Sequence, residues 1–153
     1  MRAHDVLVRK GQSSDLDAVK RVADSHREEL GFLTRGTLES AIVEGHLIVA
    51  NVDDEVVGFQ HYYHRKRDKQ TTLYHKAVLD THRRRGIARK LVSFVAKEAD
   101  ALGRTHLLLK CPVDLEANEA HARLGFRLVG TEKGRRRRLN VWRLDIDGGR
   151  ILR

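Results

Sequence analysis

Cysteine is nearly absent: Cys111 stands alone among 153 residues, so no intrachain disulfide can form, and no Cys/His cluster has the spacing of a structural zinc site. No metal is expected, and a reducing, cytoplasmic setting is. Long apolar runs are absent as well. Met1-Arg2-Ala3-His4-Asp5 leads straight into a short apolar segment, and nothing later approaches the roughly 20 apolar residues that span a bilayer. Neither secretion nor membrane insertion is expected. Internal repeats and low-complexity linkers are also missing. Acidic residues are in short supply, 21 Asp plus Glu against 30 Lys plus Arg. The net charge of +9 favours anionic partners such as nucleotides, nucleic acids or acidic protein surfaces.

What is present suffices for one continuous core. At 153 residues and 41% hydrophobic content the chain is short for two ordinary domains, so a single domain over 1–153 is expected, with its core over about 6–146 and a tail over 147–153. Val6 to Arg9 reads as a first strand. Ser13-Ser14-Asp15 caps a helix carrying Leu16, Val19 and Val22 at helical spacing, and Gly31 ends that helical region. Thr37 to Glu44 forms a second short helix. His46 to Val52, Glu55 to His64 and Thr71 to Leu79 read as an antiparallel meander, with Asp53-Asp54 as the first turn. Ile87, Leu91, Phe94, Val95 and Leu102 share one face of the clearest helix, which Gly103 stops. Leu107-Leu108-Leu109 reads as a strand covered on both faces, and Leu115 to Leu124 as a helix ended by Gly125. Phe126 to Thr131 and Leu139 to Ile146 are the last strands, flanking a basic turn. The order is that of a layered α/β chain, β-α-α-β-β-β-α-β-α-β-β. Its strand–helix–strand unit from Thr71 to Lys110 makes parallel pairing possible.

Between the fourth strand and the strong helix lies Val78-Leu79-Asp80-Thr81-His82-Arg83-Arg84-Arg85-Gly86-Ile87-Ala88-Arg89. Small residues there let backbone amides approach a ligand. A helix N-terminus presents unpaired N–H groups and partial positive charge, so a pyrophosphate can be bound largely by main chain, with the arginines adding attraction. Three arginines at that pole oppose the helix dipole, and a bound anion supplies a reason for them.

Arg83-x-x-Gly86-x-Ala88 after an apolar strand resembles the Arg/Gln-x-x-Gly-x-Gly/Ala pyrophosphate loop of the GNAT superfamily of N-acyltransferases. Cys111-Pro112-Val113-Asp114, then Ala117-Asn118 through Leu124-Gly125-Phe126, is similar to that family's C-terminal half. The resemblance extends from about Val6 to Ile146 and takes in Val56-Val57-Gly58-Phe59. It implies a mixed, mostly antiparallel sheet of about seven strands flanked by about four helices, with a splayed parallel pair of strands four and five. It further implies that the pantetheine arm of acetyl-CoA enters between those strands and hydrogen-bonds to the backbone of Ala77, Val78 and Leu79. Arg83, Arg84, Arg85, Gly86, Ile87, Ala88 and Arg89 would hold the pyrophosphate, and no metal would take part.

Direct attack of a neutral amine on the thioester is the chemistry the resemblance implies, with a base for the amine proton and a donor for the departing thiolate. Many members place a donor tyrosine four residues before the terminal Gly-Phe glycine, where this chain has His121. Imidazole, with an ordinary pKa of roughly 6.5, is largely neutral at pH 7, so either His121 substitutes or water protonates the thiolate. Several members place an asparagine seven residues before the donor; Asp114 stands there, and Asn118, three residues before His121, is read as the coenzyme contact. His121 also suits a partly buried packing role. Glu28, Glu29, His61, His64, Tyr74 and His75 are the candidate bases. Alternation favours Tyr74, with His75 pointing away unless a bulge intervenes. His61, His64 and His75 read otherwise as polar residues on a strand surface.

The leading expectation is therefore acetyl transfer from acetyl-CoA to an amine of a small molecule or protein. Two alternatives stand beside it: a basic nucleic-acid-binding protein, and a degenerate member that binds coenzyme A without turnover. Gly134-Arg135-Arg136-Arg137-Arg138 reads as a charged hairpin turn. A dimer through the edges of the last strands is permitted.

Overall fold

Two adjacent aspartates set the first hairpin. Asp53 and Asp54 both lie in the left-handed region (φ 51° and 64°), the geometry whose twist matches that of the strands it joins. In the computed structural model, which describes residues 5–151, that turn joins β2 (Leu47–Val52) to β3 (Glu55–His64). Residues 1–4, part of the N-terminal reading, and 152–153, the end of the expected tail, lie outside the described residues. The remaining strands are β1 (Val6–Lys10), β4 (Thr71–Val78), β5 (His106–Pro112), β6 (Arg127–Lys133), β7 (Arg138–Asp147) and β8 (Arg150–Ile151). The helices are α1 (Leu16–Ser25), α2 (Arg27–Leu30), α3 (Arg35–Val43), α4 (Ile87–Ala101) and α5 (Ala117–Arg123). The strand order is β1-β2-β3-β4-β5-β7-β6, with β8 on β7. The sheet is mixed and mostly antiparallel, with eight strands and five helices among the described residues where about seven and four were expected.

The described residues form two compact units, one up to Tyr62 with His75–Val92, the other Tyr63–Tyr74 with Ser93 onward. In the first, β1 pairs antiparallel with β2, and β2 with β3. Val19, Val22 and Ala23 of α1 and Leu38, Ala41 and Ile42 of α3 bury against Leu47, Val49, Phe59 and Ala77. Each large side chain so buried contributes about 1.5–3 kcal/mol. Gly58 brings β4 close: a Cβ there would lie 3.0 Å from the Ala77 carbonyl oxygen and 3.3 Å from Val78 Cγ2. Leu79 N–H donates to Val57 O at 2.8 Å and fixes the end of β4 against β3.

The first helical region is not continuous to Gly31. It breaks at His26 (φ −119°, ψ 31°), where Ser25 Oγ turns back to donate to Val22 O at 2.6 Å. A side chain competing for backbone carbonyls is a recognised reason for helices to end. The short α2 then runs to Gly31 at φ 74°.

In the second unit, β5 lies between β4 and β7. Its parallel register with β4 covers Thr71–Leu73 against Leu107–Leu109, and β7 pairs antiparallel along its whole length. Leu107, Leu109 and Cys111 are buried while Leu108 is half-buried and Lys110 exposed, so the strand alternates and is not equally covered on both faces. The expected tail contains β8, because Gly148 and Gly149, both at positive φ, turn the chain back onto Ile146 and Asp147. The helix expected from Leu115 starts two residues later, at Ala117, after a turn closed by Leu115 N–H on Pro112 O at 3.2 Å.

Candidate active site

β4 ends in a single turn of 3-10 helix, Asp80–His82, and the chain then makes a turn that only permissive residues adopt readily. Arg84 (φ 63°) and Gly86 (φ 75°) are both left-handed. Backbone of this kind orients successive N–H groups into a concavity suited to anions. The helix ladder of α4 opens with Lys90 N–H on Gly86 O at 3.1 Å, so the N–H groups of Ile87, Ala88 and Arg89 precede the first intrahelical bond. No acidic residue occupies the first turn of α4. Arg83, Arg84 and Arg85 are exposed, and Arg83 Nε bonds Asp80 Oδ1 at 2.9 Å. A Cβ on Gly86 would meet nothing within 4 Å. An open, cationic helix start with free space over its glycine fits a pyrophosphate.

His26, at the break between α1 and α2, reaches this segment. Its Nε2 donates to Val78 O at 2.8 Å and lies 3.8 Å from Asp80 Oδ1. Asp24, His26, Glu28, Asp80 and Arg83 line an open groove of about 470 Å³. The main chain at the end of β4 is therefore held from two sides, by His26 and by Val57.

On the same unit, His61 of β3 and His75 of β4 stack with ring centroids 5.8 Å apart and planes 18° from parallel. Gln60, 1% exposed, ties both backbones: its Nε2 donates to His61 O at 2.9 Å and His75 O at 3.2 Å. Burial pushes the His61 imidazole down to about 4, and the charges of His75 and His46 add to that. Burial also lowers His75. The next residue, Lys76, has a buried Nζ with no hydrogen-bond partner among the described residues, and burial lowers its pKa to about 8. Along β4, Thr71, Leu73 and Ala77 are buried and Tyr74 is exposed, so the strand alternates and His75 falls on the face opposite Tyr74.

In the other unit, Asn118 is bonded on every side. Its Nδ2 donates to Pro112 O and Leu115 O, both at 2.8 Å, while its Oδ1 accepts from Trp142 Nε1 at 2.8 Å and Asn140 Nδ2 at 3.0 Å. It pins the turn after β5 to β7. His121 on α5 is half-buried, edge-on to Phe126 (6.1 Å) and tilted against Trp142 (6.3 Å). Tyr74 is 46% exposed. In the basic turn, Arg137 pairs with Asp114 at 3.1 Å and Arg138 bonds Thr131 Oγ1 at 2.8 Å.

A model of the acetyltransferase (GNAT) family matches residues 17–126. The chain belongs to the GNAT acetyltransferase family. Solved structures share the fold. Ard1 from Thermoplasma volcanium is 17% identical with a TM-score of 0.78, over 92% of this chain and 97% of that one. A GNAT-family acetyltransferase from Bacillus cereus is 19% identical at 0.74, over 92% and 97%. YncA from Salmonella typhimurium, solved with its cofactor acetyl-CoA, is 18% identical at 0.71, over 93% and 94%. No curated protein matches this sequence.

Of the residues the sequence singled out in this GNAT chain, Ala77 to Arg89 lie together around the end of β4 and the start of α4, in one unit. Asn118 and His121 share α5 in the other unit. His61 and His75, read as strand-surface residues, are half-buried and stacked. His64 is committed elsewhere, with Nδ1 2.9 Å from Thr71 Oγ1 and Nε2 3.1 Å from Glu98 Oε1. Sequence reasoning missed His26, whose place inside a helical spacing gave no sign of the break. It also missed Lys76, although a charged residue inside an otherwise poorly charged strand was a visible signal.

Proposed function

We propose that this chain transfers an acetyl group from acetyl-CoA to a primary amine, by direct attack within a ternary complex. The observation that supports it most is the start of α4: a left-handed turn, exposed arginines and amides ahead of the first helical bond, in a chain of the GNAT family. Arg83, Arg84 and Arg85 with the amides of Gly86, Ile87, Ala88 and Arg89 would hold the pyrophosphate. Ala77, Val78 and Leu79 would present main chain to the pantetheine arm, steadied by Val57 and His26.

Acetyl-CoA supplies, when bound, an acyl group activated as a thioester. The protein's own part is to orient the acceptor, take its proton and return one to the thiolate. His121 is proposed for that return, and Asn118 for holding the turn beside it. Tyr74, exposed on β4, is proposed to line the acceptor side. The single cysteine suits a reducing, cytoplasmic compartment.

Calorimetric titration of acetyl-CoA, with dephospho and desulfo analogues as controls, tests the function first. Micromolar affinity, followed by thiol release with a panel of spermidine, Nα-acetyl-lysine amide and peptides with free Ala or Ser N-termini, is the expected result. No binding up to millimolar coenzyme overturns it and favours salt-dependent nucleic-acid binding instead. Binding without any turnover across the panel points to the degenerate, coenzyme-holding alternative.

A further inference from the structure

We propose that the hairpin turn between β6 and β7 binds the phosphate backbone of a DNA duplex, without reading its sequence. The proposal does not rest on acetyl transfer, and it uses only the unit that holds these two strands. Lys133, Arg135, Arg136, Arg137 and Arg138 are all exposed. Lys133 and Arg138 stand directly opposite each other across the strand pair, where like charges repel. Arg137 has Asp114 as a partner at 3.1 Å, and Arg138 has Thr131 Oγ1 at 2.8 Å. Glu132, next to Lys133, is taken by Lys110 at 2.6 Å. Arg135 and Arg136, at the tip, have no ion pair or side-chain hydrogen bond among the described residues.

The turn presents these charges on a fixed frame. Gly134 N–H donates to Arg137 O at 2.9 Å, and a Cβ on Gly134 would collide with that carbonyl and with Leu139, so the chain closes this tightly only with glycine there. Val113 N–H donates to Arg138 O at 3.1 Å and ties the base of the turn to the end of β5. Protection of an outer strand, the ordinary use of charge at a sheet edge, does not account for the tip. Arg135 and Arg136 lie past the end of β6, whose own Arg127 and Lys133 already guard it.

The chemistry of the turn selects among polyanions. Protein interfaces depend on buried aromatic and apolar anchors, and residues 133–138 contain no apolar side chain. Trp142, the only aromatic residue of β6 and β7, is 8% exposed, so the stacking platform that a single strand needs is missing as well. What remains is guanidinium, whose fork matches a phosphate, and backbone contact of that kind carries no sequence information. B-form DNA has a groove wide enough for a two-stranded turn to approach, with phosphates along both its walls. An RNA duplex is recognised across its shallow groove through 2′-hydroxyls, and residues 133–138 offer those hydroxyls no acceptor side chain.

Fluorescence anisotropy of the full chain with a labelled DNA duplex of about 20 base pairs, between roughly 50 and 200 mM salt, tests this. The logarithm of affinity should fall linearly with the logarithm of salt, with a slope of about −0.9 for each phosphate contacted. The double change Arg135→Ala and Arg136→Ala should make that slope shallower by about two and weaken binding at the lower salt at least about 10-fold. Arg135→Lys with Arg136→Lys keeps the charge and should restore most of the slope. Arg65→Ala with Arg67→Ala removes the same charge from the exposed turn between β3 and β4, and should change the slope by less than about 0.5. Acetyl-CoA affinity of the Arg135→Ala and Arg136→Ala protein should match the wild type. A duplex that does not bind, equal losses from the two alanine pairs, a slope that lysine does not restore, or a fall in coenzyme affinity overturns the proposal. So does tighter binding of poly-glutamate, of single-stranded DNA or of an RNA duplex of the same length.

Discussion

Three helix starts in this chain solve the same problem differently. α1 follows a 3-10 turn in which Asp15 accepts from Gln12 N–H at 2.7 Å and takes Arg9 as a bidentate partner at 2.7 and 3.0 Å. α3 begins at Thr34, whose Oγ1 accepts from Thr37 N–H at 3.1 Å. α4 begins with Gly86 behind three arginines and no acidic or hydroxyl cap. The first two satisfy their positive poles with the protein's own oxygen. The third concentrates positive charge where the dipole already supplies it, an arrangement that is unfavourable until an anion arrives. Of these three starts, two are thus closed by the protein's own oxygen, and the third is the one proposed to take an anion.

Converting the open start into a self-closed one is the most damaging test. Gly86→Glu places a carboxylate at the pole of α4 and a side chain at φ 75°, which costs roughly 1–2 kcal/mol in backbone strain. Acetyl-CoA affinity by calorimetry should fall at least about 100-fold, equivalent to roughly 2.7 kcal/mol. Gly86→Ala shares the strain without the charge, and because its Cβ meets nothing within 4 Å its loss should be several-fold smaller. Equal losses would show that backbone geometry, not charge, makes the site.

Opening a closed start should instead cost stability. Asp15→Ala leaves Arg9 and Gln12 N–H without their partner and should lower unfolding free energy by about 2 kcal/mol, with coenzyme affinity unchanged. The Arg9 hydrogen bond holds the Asp15 carboxyl below its ordinary 3.8. A depressed folded pKa means this stabilisation is fully present above that ordinary value and is lost as pH falls through the folded one. Denaturation of wild type and variant should therefore converge only in strong acid. Convergence already at pH 6 would assign the stability to something else.

Much of the contrast was legible in the sequence, since Ser13-Ser14-Asp15 and Arg83-x-x-Gly86-x-Ala88 carry their helix starts on their face. Local chemistry of that kind depends on residues a few positions apart. The meander, the β4–α4–β5 crossover and the helix ends at Gly103 and Gly125 were legible for the same reason. What stayed hidden depends on distant partners. His26 breaks a helix and bonds Val78 O, 52 residues away. His75 is half-buried on the face it shares with Thr71, Leu73 and Ala77, where it stacks on His61 of another strand. Asn118 looks free on a short helix, yet Trp142 and Asn140 engage its carbonyl. Alternation likewise says which residues share a face, not which face the rest of the chain covers, and so Leu108 was taken as covered on both sides.

The smallest effect comes from the other closed start. Thr34 is exposed, so water replaces part of what its hydroxyl gives to Thr37 N–H. Thr34→Ala should cost about 1 kcal/mol, at the middle of the range for losing a cap, and Thr34→Ser should recover most of it. Both variants should bind acetyl-CoA with wild-type affinity, because α3 presents a pole already satisfied from within. A coenzyme affinity that fell with Thr34→Ala would mean the helix starts are coupled, and the division between closed and open ones would then have to be redrawn around the whole unit rather than around α4 alone.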